Sequence, residues 1–306
     1  MKRIPAFVWL GVVPLLWGMN FHLARYCVQH LPPNTVGSVR FIIATLLLVP
    51  LFLVLERPKW PGLKPYLLAM AMVGATGVFG YNYLFFKAMQ TTSPTNASLL
   101  LAFNPLVTLL LSTLWLKSQV RPLQWAGVII GMAGVLLIVT KGRLQALLGL
   151  EISYGDFLIL LVALSFAFAN IIVRKHLQAV SSMATSAVST VVGTLFLLAV
   201  SWFEPQPDVP FSNTPMQVWL AVLLMTMGGS IIGYIAWNHS VAKVGADKAA
   251  LFTNLTPFYT VLIALGLGQP VELLQLLGGG CIVSGIVMAN LQLRGKVPKP
   301  LQVATS

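Results

Sequence analysis

Arg40 is a cation inside a long apolar run, six residues into a stretch that covers 34–55. Burying an ionisable group in such a run is costly, and the group usually faces a cavity or a partner. A guanidinium offers a carboxylate two parallel hydrogen bonds, so capture of an anionic group is the chemistry this position suggests. Snorkelling of the long side chain to the surface is the other open reading, and it fits Arg25 and Lys87 better, because they lie nearer the ends of their runs. Around Arg40 the first half of the chain offers Trp17, Asn20, His22, Tyr81, Asn82 and Lys87. The second half offers Asn170, Tyr234, Trp237, Asn238 and His239, while Asn104 and Asn254 stand beside Pro105 and Pro257. Singly, each suits an interhelical hydrogen bond or an interfacial anchor. As a set they suit a pathway with aromatic walls and amides that hold a zwitterion.

Other chemistry finds little footing. Cys27 and Cys281 are too few for a disulfide framework and lack metal-ligand spacing, so no cofactor or metal is expected. Gly228-Gly229-Ser230 precedes His239 by nine residues, a spacing that puts serine and histidine on opposite helix faces. No HExxH or paired aspartates appear, so the expectation is no enzyme. His22 and His239 titrate near neutrality and could exchange protons or simply be satisfied by neighbours. Asp156, Asp247 and Glu272 all fall near the ends of apolar runs, so little calls for proton coupling, and downhill diffusion stays open.

The elements that must position these groups follow from composition. The chain has 306 residues, 57% apolar and only 8% charged, with a mean hydropathy of +0.85. A soluble domain carries roughly 25% charged residues, so this chain is expected in a bilayer. About 20 apolar residues cross the hydrocarbon core. Ten such segments are legible: 6–24, 34–55, 65–88, 94–116, 122–140, 154–173, 183–203, 215–241, 246–267 and 270–292. The connections at 141–153 and 204–214 are too short to be domains. Lys2 and Arg3 ahead of the first run suggest a signal peptide, but no small-residue cleavage site follows, and a retained span is expected. With the N-terminus in the cytoplasm, most of the 19 basic residues fall on that side, as insertion favours. Both termini are therefore expected to be cytoplasmic. The net charge of +12 is then an orientation signal. Its carriers are scattered through short segments, so no nucleic-acid partner is expected.

The chain repeats itself. Ser93 to Thr108 reads SPTNASLLLAFNPLVT and Gly245 to Thr260 reads GADKAALFTNLTPFYT. Ala97, Leu99, Pro105 and Thr108 match Ala249, Leu251, Pro257 and Thr260. Upstream, Gly80-Tyr81 matches Gly233-Tyr234, and Asn20 aligns with Asn170. The expected units are 1–146 and 147–306, each of five spans. Five is odd, so the second copy enters the membrane from the other side, and inverted repeats rock around a midplane site. Pro105 and Pro257 each remove a backbone donor near the midplane, tolerated where the freed carbonyl lines a cavity. Spans four and nine are thus expected to face the pathway, with these prolines as points of bending or gating. Gly127-xxx-Gly131, Gly229-xxx-Gly233 and the Gly74, Gly77, Gly80 ridge provide close helix contacts. The glycine-rich fifth and tenth spans are expected to pack on each other, with a dimer contact as the alternative.

At these residues the chain resembles the EamA family of the drug/metabolite transporter superfamily. The likeness lies in the alanine-rich helix entries, Pro105 and Pro257, the glycine-rich closing spans, Leu16-Trp17-Gly18-Met19-Asn20-Phe21 and Arg40-Phe41. Glu272 stands where that family carries a loop acid; the first repeat has Lys117-Ser118-Gln119-Val120 instead, which costs only loop order. The resemblance implies an all-α membrane protein with ten helices in two inverted halves. It implies a multi-pass bacterial inner-membrane exporter of small metabolites, often amino acids, sometimes driven by protons, and either a monomer or a homodimer. Two alternatives stay open. One is a carrier of phosphorylated or other anionic metabolites, in which Arg40 would recruit Lys87 or Arg25. The other is a structural or regulatory subunit, which needs no polar pathway.

Overall fold

With no water in the hydrocarbon core, every backbone group must bond within its own segment or to a neighbour, and the apolar runs fold accordingly into helices. The computed structural model describes residues 6–58, 60–116, 122–140, 153–203, 213–233, 236–237, 240, 252 and 255–290. The helical spans are α1 (Ala6–Cys27), α2 (Pro33–Glu56), α3 (Trp60–Ala88), α4 (Pro94–Leu101 and Asn104–Leu116) and α5 (Pro122–Thr140) in the first half. The second half has α6 (Tyr154–His176), α7 (Ser182–Phe203), α8 (Met216–Ile232), α9 (Leu255–Gly266) and α10 (Leu273–Asn290). Five of them are long and apolar enough to cross a membrane by length and composition. The 22 residues of α1 reach about 33 Å at 1.5 Å per residue.

Local signals set the ends. Pro33 opens α2, where its missing N–H costs nothing, and Arg57 closes it in the left-handed region at φ 45°. Ser93 caps α4 by accepting from Asn96 N–H at 3.1 Å. The sequence predicts one continuous helix over 94–116 with Pro105 inside it; the chain instead breaks at 102–103. Pro105 has no N–H for the Leu101 carbonyl, and the turn before it tightens, with Phe103 N–H donating to Leu100 O at 3.1 Å.

A second irregularity was not expected. Gly74–Gly80 in α3 and Met225–Ile232 in α8 are π-helical. Tyr81 N–H donates to Thr76 O and Gly233 N–H to Gly228 O, each five residues back. The two stretches fall at the Gly80-Tyr81 and Gly233-Tyr234 match, so both repeats carry the same distortion in their third span.

Packing exchanges partners between the halves. α1 lies against α8 and α9 while α6 lies against α3 and α4; α2 pairs with α7, and α5 pairs with α10 over the most extensive helix interface. That exchange is the pattern of a two-fold relation between the repeats. Glycines make the α5–α10 contact. Gly134 presses on the Gly278 carbonyl, and Gly285 on Gly127 O and Gly131. A Cβ at Gly278 would lie 2.6 Å from the Ile138 side chain and 2.8 Å from Gly134 O. Gly278→Val is therefore expected to destabilise the fold by about 1–3 kcal/mol or more. Gly280→Val, where nothing lies within 4 Å, should be silent. Thermal unfolding of the two purified variants checks this.

Candidate functional site

α1 presents two working faces. Gly18 and His22, one turn apart, meet α9. A Cβ at Gly18 would sit 3.1 Å from Thr256 O, and His22 Nε2–H donates to Thr260 O at 2.9 Å. Trp17 and Asn20 meet α8 instead. Trp17 Nε1–H donates to Gly229 O at 3.2 Å, and a Cβ at Gly229 would collide with Asn20 Nδ2. Only glycine fits there.

Arg40 reaches the next residue of α8, Ser230, from α2. Its Nε and Nη2 both donate to Ser230 Oγ, at 3.2 and 3.0 Å. The residue is 8% exposed, which excludes snorkelling. Trp17, Asn20 and Arg40 thus converge on Gly229-Ser230, within the π-helical stretch. Trp237 extends the group, its ring 5.2 Å from that of Trp17, and the Arg40 guanidinium lies 5.5 Å from the Phe41 ring.

The electrostatics are one-sided. Among the described residues the Tyr81 hydroxyl and the Cys27 thiol are the titratable groups beside Arg40. Among the described residues no carboxylate pairs with it. Guanidinium has five N–H donors, and Ser230 takes two. Nearby acceptors also lack donors: Asn20 Oδ1 and His22 Nδ1 are buried without a partner among the described residues. Among the described residues, an anion beside Arg40 and an N–H donor beside Asn20 are the groups this arrangement lacks.

The other sequence-expected residues divide. Tyr81 packs between Phe85 and Phe166. Asn82 turns back to Val78 O on its own helix at 2.8 Å. Asn104 ties α4 to Ala163 O of α6 at 3.0 Å and accepts from Thr108. Lys87 donates to Tyr83 Oη at 2.6 Å, and Arg25 to Met89 O. Pro105 marks the break in α4, and Pro257 is buried in α9. Tyr234, Asn238, His239 and Asn254 lie outside the described residues. Sequence reasoning did not place Ser230 and Gly229 beside Arg40; Gly229 was legible as a packing glycine of Gly229-xxx-Gly233, and the Gly228-Gly229-Ser230 run was read only against an enzyme.

The second repeat carries a related contact. Ser165 Oγ–H of α6 donates to Thr76 O in the π stretch of α3 at 2.8 Å, and Thr76 aligns with Gly229. In both repeats, then, the first span of one half donates to the distorted third span of the other.

Ten apolar helices in two repeats with a buried polar centre define a multi-span membrane protein of the transporter class. The chain belongs to the EamA-like transporter family, whose model matches residues 4–140 and again 153–291. That family is one of transporters and not of enzymes. The chain is 31% identical over 299 residues to a protein of Bacillus subtilis (strain 168) described as uncharacterized transporter YyaM, covering 98% of this chain and 97% of that one. It is 28% identical over 292 residues to the uncharacterized inner membrane transporter YedA of Escherichia coli (strain K12), covering 95% and 92%. A crystal structure with 20% identity superposes with a TM-score of 0.63 over 95% of this chain and 99% of its own, a likeness of fold alone.

Proposed function

We propose that the chain is a secondary transporter of the bacterial inner membrane that exports small zwitterionic metabolites, amino acids foremost. The site we infer is Arg40 for the carboxylate, Asn20 Oδ1 for the amino group, and Trp17 and Trp237 for the side chain. The observation that carries this reading is a buried Arg40 whose polar partner among the described residues is the neutral hydroxyl of Ser230. A structural subunit has no use for such a centre. A phosphorylated cargo attracts several cations, whereas Arg25 and Lys87 are held at Met89 and Tyr83. One guanidinium suits one carboxylate.

In this reading the halves 1–146 and 147–306 enter the membrane in opposite senses, both termini are cytoplasmic, and access alternates around the site. The description of YedA as an inner membrane protein supports the location. Use of the α5–α10 glycines within one chain favours a monomer as the working unit, and proton coupling remains part of the reading. Counterflow tests it. Proteoliposomes loaded with unlabelled amino acids are expected to accumulate a labelled one well above empty vesicles. Exchange confined to phosphorylated metabolites would replace the cargo assignment, and absence of all flux would end the transport reading.

A further inference from the structure

Asp156 lies in the first turn of α6 and is 2% exposed, although its position near a span end suggests contact with water. Gly155 explains the burial. A Cβ there would come within 2.6 Å of Ala88 O and 2.7 Å of Thr92 N, so its absence lets α6 press into the α3–α4 turn. The carboxylate then meets repeat 1 directly. Thr92 Oγ1–H donates to Oδ1, and Asn96 Nδ2–H donates to Oδ2 at 3.3 Å.

The chain of bonds continues into α10. Gln275 Nε2–H donates to Asn96 Oδ1 at 2.6 Å, and Glu272 N–H donates to Gln275 Oε1 at 2.9 Å. Every link from α10 points its donor toward Asp156, and aligned bonds of this kind strengthen one another. The backbone donor at Glu272 fixes the orientation of the Gln275 amide, and Gln275 fixes that of Asn96. An ionised carboxylate only accepts, which is what this relay requires at its end. A proton on Oδ1 would require the Thr92 hydroxyl to turn from donor to acceptor, and a proton on Oδ2 would face Asn96 Nδ2 donor to donor. Turning the Asn96 amide to relieve that would set its nitrogen against Gln275 Nε2, so the mismatch passes to α10.

We propose that Asp156 is a proton-binding site, and that its protonation releases a clamp holding the start of α4 between α6 and α10. At this end of the molecule the charged and titratable groups of the adjoining elements, among the described residues, are Tyr83 and Lys87 of α3, Arg25, Tyr26 and Cys27 of α1 with His30 just beyond it, the exposed Tyr154 ahead of Asp156 on α6, and Glu272 ahead of α10; α4 carries none. Thr91, Ser93 and Glu272 are exposed, so water stands one layer from the carboxylate. The purpose assigned to the clamp, opening at this end of the molecule during alternating access, rests on the transport reading. Its test does not.

Spin labels at Thr91→Cys and Gln269→Cys, with Cys27 and Cys281 replaced by serine, straddle the clamp in full-length protein in liposomes. Electron–electron distances at about pH 8 are expected to form one short population, and a longer one should rise severalfold at about pH 5. Asp156→Asn, which carries both a donor and an acceptor as the protonated acid does, should show the longer population at both. Glu272→Gln should keep the response to pH. An unchanged wild-type distribution, an Asp156→Asn protein that still switches, or loss of switching in Glu272→Gln would each overturn the proposal. Should Asp156→Asn fail to fold, Gln275→Leu cuts the relay and spares the carboxylate. The longer population at about pH 8 is then expected, and its absence would overturn the proposal. No cargo is present in these measurements, so failure of the counterflow assay does not alter what they decide.

Discussion

Arg40→Met is expected to lower amino-acid counterflow at least tenfold while leaving the protein folded. A hydrogen bond to a charged group contributes about 1.5–3 kcal/mol, and 1.4 kcal/mol is a factor of ten in affinity. Two such bonds to a carboxylate, in a site where no other described cation is in place, leave little binding without them. The opposite sign is expected for stability. Among the described residues the buried Arg40 has one neutral partner, and replacing a buried charge by an apolar chain of similar volume is often neutral or stabilising. The midpoint of thermal unfolding should hold or rise. Arg40→Lys keeps the charge and loses the planar fork, so it should fall between the two. Full exchange of every cargo by Arg40→Met would remove Arg40 from the site, and a drop in unfolding temperature would recast it as a structural tie through Ser230.

The spans were legible because, in lipid, apolar length and backbone self-satisfaction leave a chain few choices. The α5–α10 contact was legible for a related reason: close helix approach demands small residues, and Gly127, Gly131, Gly134, Gly278 and Gly285 supply them. The site was only half legible. Arg40 stood out because a cation is conspicuous among apolar neighbours. Its partner did not, since Ser230 is 190 positions away and one serine resembles another until the helices are docked. Asn82 and Asn104 show the converse: both have the right type and depth, yet one bonds its own helix and the other holds α4 to α6. Pro105 announced an irregularity without saying whether the helix bends or breaks. The burial of Asp156 had no signal, because burial near a helix end depends on the neighbour that Gly155 admits. The π-helical stretches had no signal, for no residue type encodes a bond five residues back.

Those stretches carry the second large effect. A single extra residue inserted into a helix costs stability, and such distortions gather at functional positions. Here they recur in both repeats, and each accepts a bond from the other half, Ser165 to Thr76 O and Trp17 to Gly229 O. Deleting Ala75 from α3, or Met227 from α8, lets the stretch relax to α-helix and turns one part of the span by about 100° against the other. The Met227 deletion shifts Gly229 and Ser230 relative to the part of α8 before them, so a loss of exchange there follows from the site alone. The Ala75 deletion leaves the Arg40–Ser230 bonds untouched, although it turns the part of α3 that carries Tyr81, a neighbour of Arg40. If the two distortions are the points at which third spans bend as access alternates, it should still reduce counterflow about tenfold or more, with helix content and unfolding temperature unchanged or higher. Normal exchange after deletion of Ala75 would assign the α3 distortion to packing against Ala169 and Ser165, and would leave the moving role to α8 alone. Loss of exchange in both would mean that each half bends where it meets the first span of the other, so that the two-fold pattern of contacts is also a two-fold division of the motion.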